Sequence, residues 1–278
     1  MTPASSPEIL ALARFIGESS RLLVLTGAGC STDSGIPDYR GRNGSLKRHT
    51  PVQFGEFMRR EDVRRRYWAR SYRGWPSFSS AEPNDAHHAL CLLERRGRIH
   101  LLITQNVDNL HESAGSKKLV LLHGRNDRVI CMDCGARSSR EALQKDMAEK
   151  NPDAELSFTM LSPDGDADID AASMDRFVVP GCAQCEGLLK PDVVFFGESV
   201  PRERVEYSMA NVDESDGLLV VGSSLTVWSG YRFVRRAGEQ GKPIAILNIG
   251  PTRADELAAL KVDLGCGPAL RGVSTILE

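Results

Sequence analysis

The chain has 278 residues, 37 acidic side chains against 35 basic ones, and a formal net charge of −2. A length of this order supports one large domain with a subsidiary lobe. The near-neutral charge provides no basic field for nucleic acid or anionic lipid, and no apolar run is long enough to cross a bilayer. We therefore expect neither a direct nucleic-acid partner nor a membrane partner.

The first residues and the cysteines indicate the cellular compartment. Residues 1–7 lack the charged and apolar blocks of a secretion signal, and there is no arginine-rich presequence. Seven cysteines in a chain of this length do not form a disulfide framework, and a reducing compartment favours their use as metal-binding thiolates. We expect a cytoplasmic, bacterial protein, with the monomer as the favoured state.

The predicted elements begin with an amphipathic helix capped by Ser6, with Pro7 in its first turn. The apolar run 21–26 then predicts a strand buried on both faces, and the segment at about 45–80 predicts a small helical insertion. After a further helix, strands are predicted at 99–104, 119–122, 193–196, 217–221 and 244–247. This alternation of strands and helices predicts an α/β fold with a Rossmann-like parallel sheet.

Two Cys-x-x-Cys pairs interrupt this pattern, Cys131 with Cys134 and Cys182 with Cys185. Four thiolates complete the tetrahedral coordination of zinc and leave no open position, so the predicted metal is structural. The pairs therefore predict a small zinc-binding lobe inserted into the parallel-sheet domain. The predicted limits are 129–186 for the zinc module, and 1–128 with 187–278 for the Rossmann-like domain.

The segment 151–175, between the cysteine pairs, is acidic and rich in loop-forming residues. Some of its aspartates alternate as in a calcium-binding loop, namely Asp164, Asp166, Asp168 and Asp170. Ile169 stands where such a loop requires glycine, and Asp175 replaces the closing glutamate. We interpret the segment as an acidic surface loop.

The strand at 21–26 leads directly into Gly27-Ala28-Gly29. In dinucleotide-binding folds such a turn lets the backbone approach a pyrophosphate, whose charge meets the N–H groups of a helix terminus. Thr32 stands where a dehydrogenase has its third glycine. Lys47-Arg48 occupy the region, about 20 residues on, where a dehydrogenase has its ribose-binding acid. The turn thus predicts a nucleotide site and disfavours hydride transfer.

Polar clusters follow the predicted strands throughout the chain. They lie at 105–111, 123–124, 222–224 and 248–250. Because ligands of open α/β sheets bind at the carboxyl ends of the strands, we expect these clusters to meet at one site.

In these motifs the chain resembles the sirtuins, the NAD-dependent protein deacylases. The matching stretches are, in chain order, 27–40, 104–111, 123–124, the two cysteine pairs, 190–198, 222–224 and 248–250. They span nearly the whole chain. Within the family, residues 67–70, 193–198 and 243–253 resemble class II.

The resemblance implies NAD as the cofactor and zinc, bound by the four paired cysteines, as a structural metal. The stretch 36–40 would form a mobile flap, and two amides with one carboxylate would hold the nicotinamide side. The implied NAD-binding residues are Gly27, Ala28, Gly29, Thr32, Ile36, Pro37, Asp38, Tyr39, Arg40, Gln105, Asn106, Asp108, His123, Gly222, Ser223, Ser224, Asn248, Ile249, Gly250 and Cys266.

The implied catalytic residues are His123, Asn106 and Asp108. An imidazole with an ordinary pKa of about 6.5 suits removal of a proton from a ribose hydroxyl at neutral pH. In the implied reaction the acyl-lysine carbonyl oxygen attacks C1′ of the nicotinamide ribose and nicotinamide leaves. His123 then activates the hydroxyl that captures the acyl group, and the products are free lysine and O-acyl-ADP-ribose.

The implied substrates are acylated lysines of proteins, whose backbone would add as a strand beside the tunnel. Tyr67 and Arg70 have the spacing with which some sirtuins hold an acidic acyl group. Because Arg64, Arg65 and Arg66 stand beside them, a solvated basic helix face is the alternative. The residues that would border the acyl-lysine tunnel are Val194, Phe195, Gly197 and Glu198.

Other functions fit parts of the same pattern. Protein mono-ADP-ribosyl transfer uses the same nicotinamide cleavage, and a deacylase can be selective for acidic or long acyl groups. A catalytically silent module that binds NAD or acyl-lysine is disfavoured because His123, Asn106 and Asp108 are all present.

Overall fold

The computed structural model describes residues 6–38, 51–154, 174 and 176–278. Within them, six parallel strands form one sheet: β1 Leu22–Thr26, β2 Ile99–Thr104, β3 Leu119–Leu121, β7 Gly217–Val221, β8 Ile244–Leu247 and β9 Leu260–Val262. Their spatial order is β3-β2-β1-β7-β8-β9. Every residue of β1 and of β7 is buried, as expected for a parallel sheet that helices cover on both faces.

Hydrophobic cores lie on both faces of this sheet. Leu22 and Val24 of β1 enter one core, and the alternating residues Leu23 and Leu25 enter the other. The helices that cover the first face are α1 Pro7–Glu18, α4 Asp85–Arg95 and α9 Cys266–Ile276. The helices that cover the second face are α7 Arg202–Glu214 and α8 Trp228–Glu239.

The direction in which the chain builds the sheet reverses between β1 and β7. These strands are neighbours in the sheet, and β2 and β8 extend it on opposite sides. Ligands of open α/β sheets bind outside the carboxyl ends of the strands at such a reversal. The segments after Thr26 and Val221 therefore lie where a ligand is expected.

A small antiparallel sheet consists of β4 Gly124–Cys131, β5 Arg137–Ser139 and β6 Leu189–Val193, with the order β5-β4-β6. The short helix α5 Leu110–Ser113 precedes β3, and helix α6, Arg140–Lys150, follows β5 directly. The sheet extends a few residues beyond the predicted module 129–186, because β4 pairs with β6 from Gly124↔Val193 to Cys131↔Leu189.

The prediction that 193–196 is a strand of the parallel sheet is wrong. Val193 ends β6 of the small sheet, and the Phe54 N–H bonds the Phe196 carbonyl of the following segment at 2.8 Å. The run is apolar because it borders a cavity and an aromatic cluster, an environment that selects the same residue types as a buried strand.

The described part of the helical insertion consists of α2 Phe54–Arg59 and α3 Glu61–Ser79. Phe57 and Trp68 of these helices share one core with side chains of β4 and α6. The buried Arg140 guanidinium lies 5.5 Å from the Trp68 ring centroid and 4.9 Å from that of Trp75. The insertion and the antiparallel sheet therefore form one lobe.

Several sequence predictions fall on residues outside the described ranges. They concern Tyr39, Arg40, Lys47, Arg48 and the acidic-loop residues Asp164, Asp166, Asp168, Ile169, Asp170 and Asp175. Among the described helices, none combines the length and apolar character needed to traverse a membrane.

Candidate active site

Two chain segments cross closely where β1 and β7 end. Gly27 donates its N–H to the Val221 carbonyl at 3.0 Å, and Gly29 donates to the Gly222 carbonyl at 2.8 Å. A Cβ on Gly222, whose φ is 62°, would lie 2.3 Å from the Cys30 nitrogen. Glycine is therefore needed for the crossing itself, in addition to the approach of a ligand.

A polar network joins the loop after β2 to the glycine turn. Asn106 Nδ2 donates to the Gly27 carbonyl and to Ser31 Oγ, both at 3.0 Å. The Ser31 hydroxyl donates to Asp108 Oδ2 at 2.7 Å, and the Leu110 N–H donates to Oδ1 at 3.0 Å. Burial raises the pKa of Asp108, and these two donors oppose that rise. No described residue donates to the Asn106 side-chain oxygen, which is available to a ligand.

Gln105 connects three further segments at the same edge. Its Nε2 donates to the Thr26 carbonyl at 3.3 Å and to Ser223 Oγ at 2.9 Å. A Cβ on Gly230 would lie 2.3 Å from Gln105 Oε1, so the glycine leaves the space that this amide fills. The Ser223 hydroxyl also accepts the Leu225 N–H at 3.2 Å and therefore serves mainly to hold the loop.

His123 lies between this polar edge and the small lobe. Its Nδ1 is 2.9 Å from the Gln105 backbone oxygen, and its Nε2 is 2.8 Å from Ser229 Oγ. Because a carbonyl oxygen only accepts, we assign the proton of the neutral ring to Nδ1 and the lone pair to Nε2. Burial lowers the pKa of His123 to about 4; the bond to Gln105 opposes this, and the charges of Arg204 and Arg232 add to it. The ring is thus neutral at pH 7, and Nε2 can accept a proton.

The segment after β6 is fixed to the strand that follows His123. The Val194 N–H donates to the His123 carbonyl at 2.8 Å. Glu198 Oε2 accepts the Phe195 N–H at 2.8 Å and the Lys190 ammonium at 3.1 Å. Burial lowers the pKa of Lys190, and the charge of Glu198 opposes that change. Glu198 therefore holds the shape of the segment through internal bonds.

Aromatic rings form a wall beside this segment. The Phe57 ring centroid lies 5.4 Å from that of Tyr67 and 5.0 Å from that of Phe195, both in edge-to-face geometry. Tyr67 is 3% exposed and Phe195 8% exposed, and both line the cavity described next. A wall of this composition suits the aliphatic stem of a lysine or an acyl chain.

The polar edge, His123 and the aromatic wall all face one cavity of about 900 Å³. The predicted site residues that line it are Gly27, Ala28, Gly29, Asp38, Tyr67, Gln105, Asn106, Asp108, His123, Val194, Phe195, Gly197, Glu198, Gly222, Ser223, Ser224, Asn248 and Ile249. The predicted residues that the structure describes outside the lining are Thr32, Ile36, Pro37, Arg70, Gly250 and Cys266.

Two of the residues outside the lining are buried in the protein interior. Ile36 packs in a small core with Trp75. Cys266 is enclosed as well, and this burial raises the pKa of its thiol to about 12. Arg70 follows Tyr67 by one helical turn of α3. Its role in binding an acyl carboxylate stays a prediction.

The four paired cysteines meet at one point of the small lobe. The Cys131 and Cys185 sulfurs are 3.6 Å apart, the Cys134 and Cys182 sulfurs are 3.8 Å apart, and all four lie within 4.8 Å of one another. Thiolates that bind zinc tetrahedrally at about 2.3 Å lie about 3.8 Å apart. The sulfurs fit a zinc ion, and four thiolates leave no position for a reacting water.

Cys30, His87 and His111 form a second, fully buried group of metal-ligand types. His87 Nδ1 accepts the Asn84 N–H at 3.3 Å, so the neutral ring carries its proton on Nε2 and offers no free lone pair to a metal. His111 Nε2 lies 3.0 Å from the Thr26 hydroxyl beneath the active site. Burial lowers the pKa of both rings, that of His87 to about 4. We interpret the pair as neutral support for the site.

Sequence reasoning missed Ser31, Ser229 and Lys190. Ser31 is 1% exposed and bridges Asn106 to Asp108, whereas the sequence presents it as one of several small polar residues after a glycine turn. Ser229 lies near the start of α8, where serine is common as a capping residue. Only the three-dimensional contact with His123 distinguishes it.

Comparison with known proteins agrees with this geometry. The Sir2 family model matches residues 27–229. An NAD-dependent protein deacetylase of Xanthomonas campestris pv. campestris is 55% identical over 270 residues, which cover 97% of this chain and 92% of that protein. The mitochondrial NAD-dependent protein lipoamidase sirtuin-4 of Bos taurus is 52% identical over 273 residues, with 97% and 87% covered.

A solved structure of Sir2 with a p53 peptide and NAD+ superposes with a TM-score of 0.76 at 28% identity, covering 96% of this chain and 97% of that one. The parallel sheet with its polar edge and thiolate lobe therefore defines a sirtuin-type fold. The chain belongs to the Sir2 family.

Proposed function

We propose that this chain is an NAD-dependent protein lysine deacylase. With one water as co-reactant, it transfers the acyl group of an acyl-lysine to the ADP-ribose part of NAD and releases nicotinamide and free lysine. Family membership across nearly the whole chain supports this reaction, as do relatives named NAD-dependent protein deacetylases. The single observation that carries the proposal is the place of His123, between the polar sheet edge and the aromatic wall of one cavity.

The sheet edge fits NAD by the chemistry of its groups. Ala28 and Gly29 would face the pyrophosphate, and the side chains of Asn106 and Asp108 offer both an acceptor and a fixed charge to the nicotinamide ribose. Ser224 and Asn248 line the cavity beyond β7 and β8, where adenosine hydroxyls would bind. When bound, NAD supplies a glycosidic carbon that accepts the acyl oxygen and a hydroxyl that receives the acyl group.

His123 is the base that the site offers. Its Nδ1–H is held by the Gln105 carbonyl, which directs the Nε2 lone pair toward Ser229 and the cavity. A substrate hydroxyl can take the place of the Ser229 hydroxyl as the hydrogen-bond donor to Nε2 and then give its proton to that nitrogen. The depressed pKa keeps this nitrogen unprotonated at neutral pH.

The aromatic wall would receive the acyl-lysine. We place Val194, Phe195 and Gly197 along the substrate, with Glu198 holding the segment through Lys190. The substrate backbone would add as a strand next to this segment, and recognition of backbone groups gives modest sequence selectivity. The cytoplasmic location and the monomeric state remain proposals; fractionation and size-exclusion chromatography test them.

The test is NAD consumption with a panel of acetyl-, glutaryl- and long-chain acyl-lysine peptides, followed by mass analysis of the products. We expect O-acyl-ADP-ribose in amounts equal to free lysine, and we expect His123→Ala to lower kcat by about 10²–10⁴-fold. Modified protein without O-acyl-ADP-ribose would instead identify a mono-ADP-ribosyltransferase. Formation of free lysine and O-acyl-ADP-ribose at an unchanged rate in His123→Ala would refute the assignment of the base.

A further inference from the structure

One cation in the cavity lining has no partner among the described residues. Arg232, in the second turn of α8, lines the cavity, and its Nε is buried without a hydrogen-bond partner. The other α8 arginines are paired, because Arg235 bonds Glu239 at 2.7 Å and Arg236 bonds Asp213 at 2.8 Å. Since the Arg232 side chain lines the cavity and no ion pair to a described residue neutralises it, its charge is left for an acceptor that arrives with a ligand.

The helical spacing places Arg232 close to the base. Arg232 follows Ser229 by three residues and lies on the same side of α8, and Ser229 contacts His123 at 2.8 Å. The charges of Arg232 and of Arg204 in α7 both act on the His123 ring. The guanidinium therefore lies on the wall next to His123, between α7 and α8.

The acids near this wall are engaged or turned outward. Glu198 lines the cavity but is bonded to Lys190 and to the Phe195 N–H. On α7, Glu206 pairs with the exposed Arg202 at 2.6 Å, and Glu203 is exposed to solvent. The local excess of charge at this wall is positive.

The same sign continues around the cavity mouth. Trp228 lines the mouth and is 45% exposed. Arg253 lies 4.1 Å from the Tyr231 ring centroid and 5.6 Å from that of Trp228, and Arg235 lies 5.7 Å from the Trp228 centroid. Because Arg235 is paired with Glu239 at 2.7 Å, Arg253 is the cation that adds to the positive charge of Arg232 near the mouth. Positive charge at this place favours acidic substrates.

We propose that Arg232 recognises a carboxylate of the acyl-lysine substrate at the wall between α7 and α8. The carboxylate belongs either to an aspartate or glutamate next to the modified lysine or to the free end of a dicarboxylic acyl chain. This inference rests on the proposed deacylase function and adds a substrate class to it. Guanidinium suits this role because its N–H groups match both oxygens of a carboxylate.

The test compares matched substrates that differ by one charge. One set consists of acetyl-lysine peptides with glutamate or glutamine at each position from −3 to +3. The other set consists of a neutral peptide with glutaryl-lysine or with its terminal amide. Wild-type kcat/KM should favour the carboxylate member of one set by about tenfold at low salt, through KM rather than kcat. The set that shows the preference identifies the source of the carboxylate.

The protein variants assign this preference to one side chain. Arg232→Gln should abolish the preference, measured as the ratio of kcat/KM for the carboxylate and neutral members within the same variant, whereas Arg232→Lys should retain part of it. Arg236→Gln removes the same charge from the same helix outside the cavity and should keep the full preference. Circular dichroism confirms that each variant is folded.

Several outcomes contradict the proposal. One is a wild-type enzyme without carboxylate preference, and another is an Arg232→Gln protein that keeps it. A third is an Arg232→Gln protein whose KM rises for NAD and not for peptide, because the guanidinium would then bind the cofactor and not the substrate. If turnover is absent, isothermal calorimetry without NAD still measures the Kd of the glutamate and glutamine peptides, and the ratio of these Kd values reports the same preference. A failure of the deacylase function is thereby distinguished from a failure of this site.

Discussion

The sheet edge and the small lobe border the same cavity, but different interactions hold each of them in place. At the edge, Asn106, Ser31 and Asp108 bond one another and the crossing glycine segments, so the protein itself holds the arrangement. In the lobe, two cysteine pairs beside a three-stranded sheet bring four sulfurs within 4.8 Å of one another, a spacing that fits a zinc ion. We infer that the cofactor side is organised by the fold, whereas the acyl side depends on the metal.

Removal of the metal should have the largest effect and directly tests whether the lobe alone depends on it. Chelation, or Cys182→Ala, should abolish zinc binding of one ion per chain and lower deacylase activity on the order of 100-fold or more. Hydrogen exchange should become fast in β4 and β6 and stay slow in β1 and β7.

The control for that experiment is Cys91→Ala, which changes a buried cysteine of α4 outside the four-cysteine cluster. It should keep both zinc and activity. Uniform loss of protection across the whole chain on chelation would show that the two regions are not separable.

A change confined to the sheet edge should have a smaller and different effect. Ser31→Ala removes the bridge between Asn106 and Asp108 without altering the lobe. We expect kcat/KM for NAD to fall by about tenfold, since one charge-assisted hydrogen bond is lost. The KM for peptide and the zinc content should not change.

Steady-state kinetics with each substrate varied separately check this expectation. Equal losses in the NAD and peptide parameters would mean that the network supports both sides of the cavity.

Acid should destabilise the sheet domain through three buried histidines. His87, His111 and His123 have folded pKa values below the ordinary value, so the unfolded chain binds more protons than the folded one as pH falls below about 6.5. Their contribution to stability is therefore constant above pH 7 and is lost as pH falls toward 4. His87 alone should account for about 1 kcal/mol between pH 7.5 and 5.5.

Urea unfolding at the two pH values measures this loss. His87→Asn should reduce the difference in free energy of unfolding between them, and His88→Asn, at the exposed neighbouring position, should not. An unchanged difference in the His87 variant would contradict the burial argument.

Much of the sheet edge could be predicted from the sequence because its signals are local. A buried apolar strand followed by Gly27-Ala28-Gly29, and amides directly after β2, point to the carboxyl edge by chain order alone. The Cys-x-x-Cys spacing likewise predicts the four cysteines whose sulfurs meet in the small lobe.

The contacts made across the fold could not be predicted in this way. Ser229 contacts His123 and Arg232 lines the cavity because one face of α8 is directed toward His123. No local sequence pattern specifies how α8 is rotated about its own axis. The apolar run at 193–196 has the pattern of a parallel-sheet strand for a related reason. Burial against an aromatic wall and burial in a parallel sheet select the same residues.

Strand β4 connects these observations, since it begins directly after His123 and ends at the thiolate Cys131. Its ladder with β6 ends beside the substrate segment at Val193. The base and the segment that borders the acyl wall are therefore both attached to the β4–β6 ladder. A tilt of the lobe would move them together and preserve the distance between them. Several contacts tie this strand to the cofactor side, namely His123 Nδ1 to the Gln105 carbonyl, His123 Nε2 to Ser229 Oγ, and the Asn126 N–H to the Val107 carbonyl. The start of β4 is thus the place where movement of the lobe would be felt at the base.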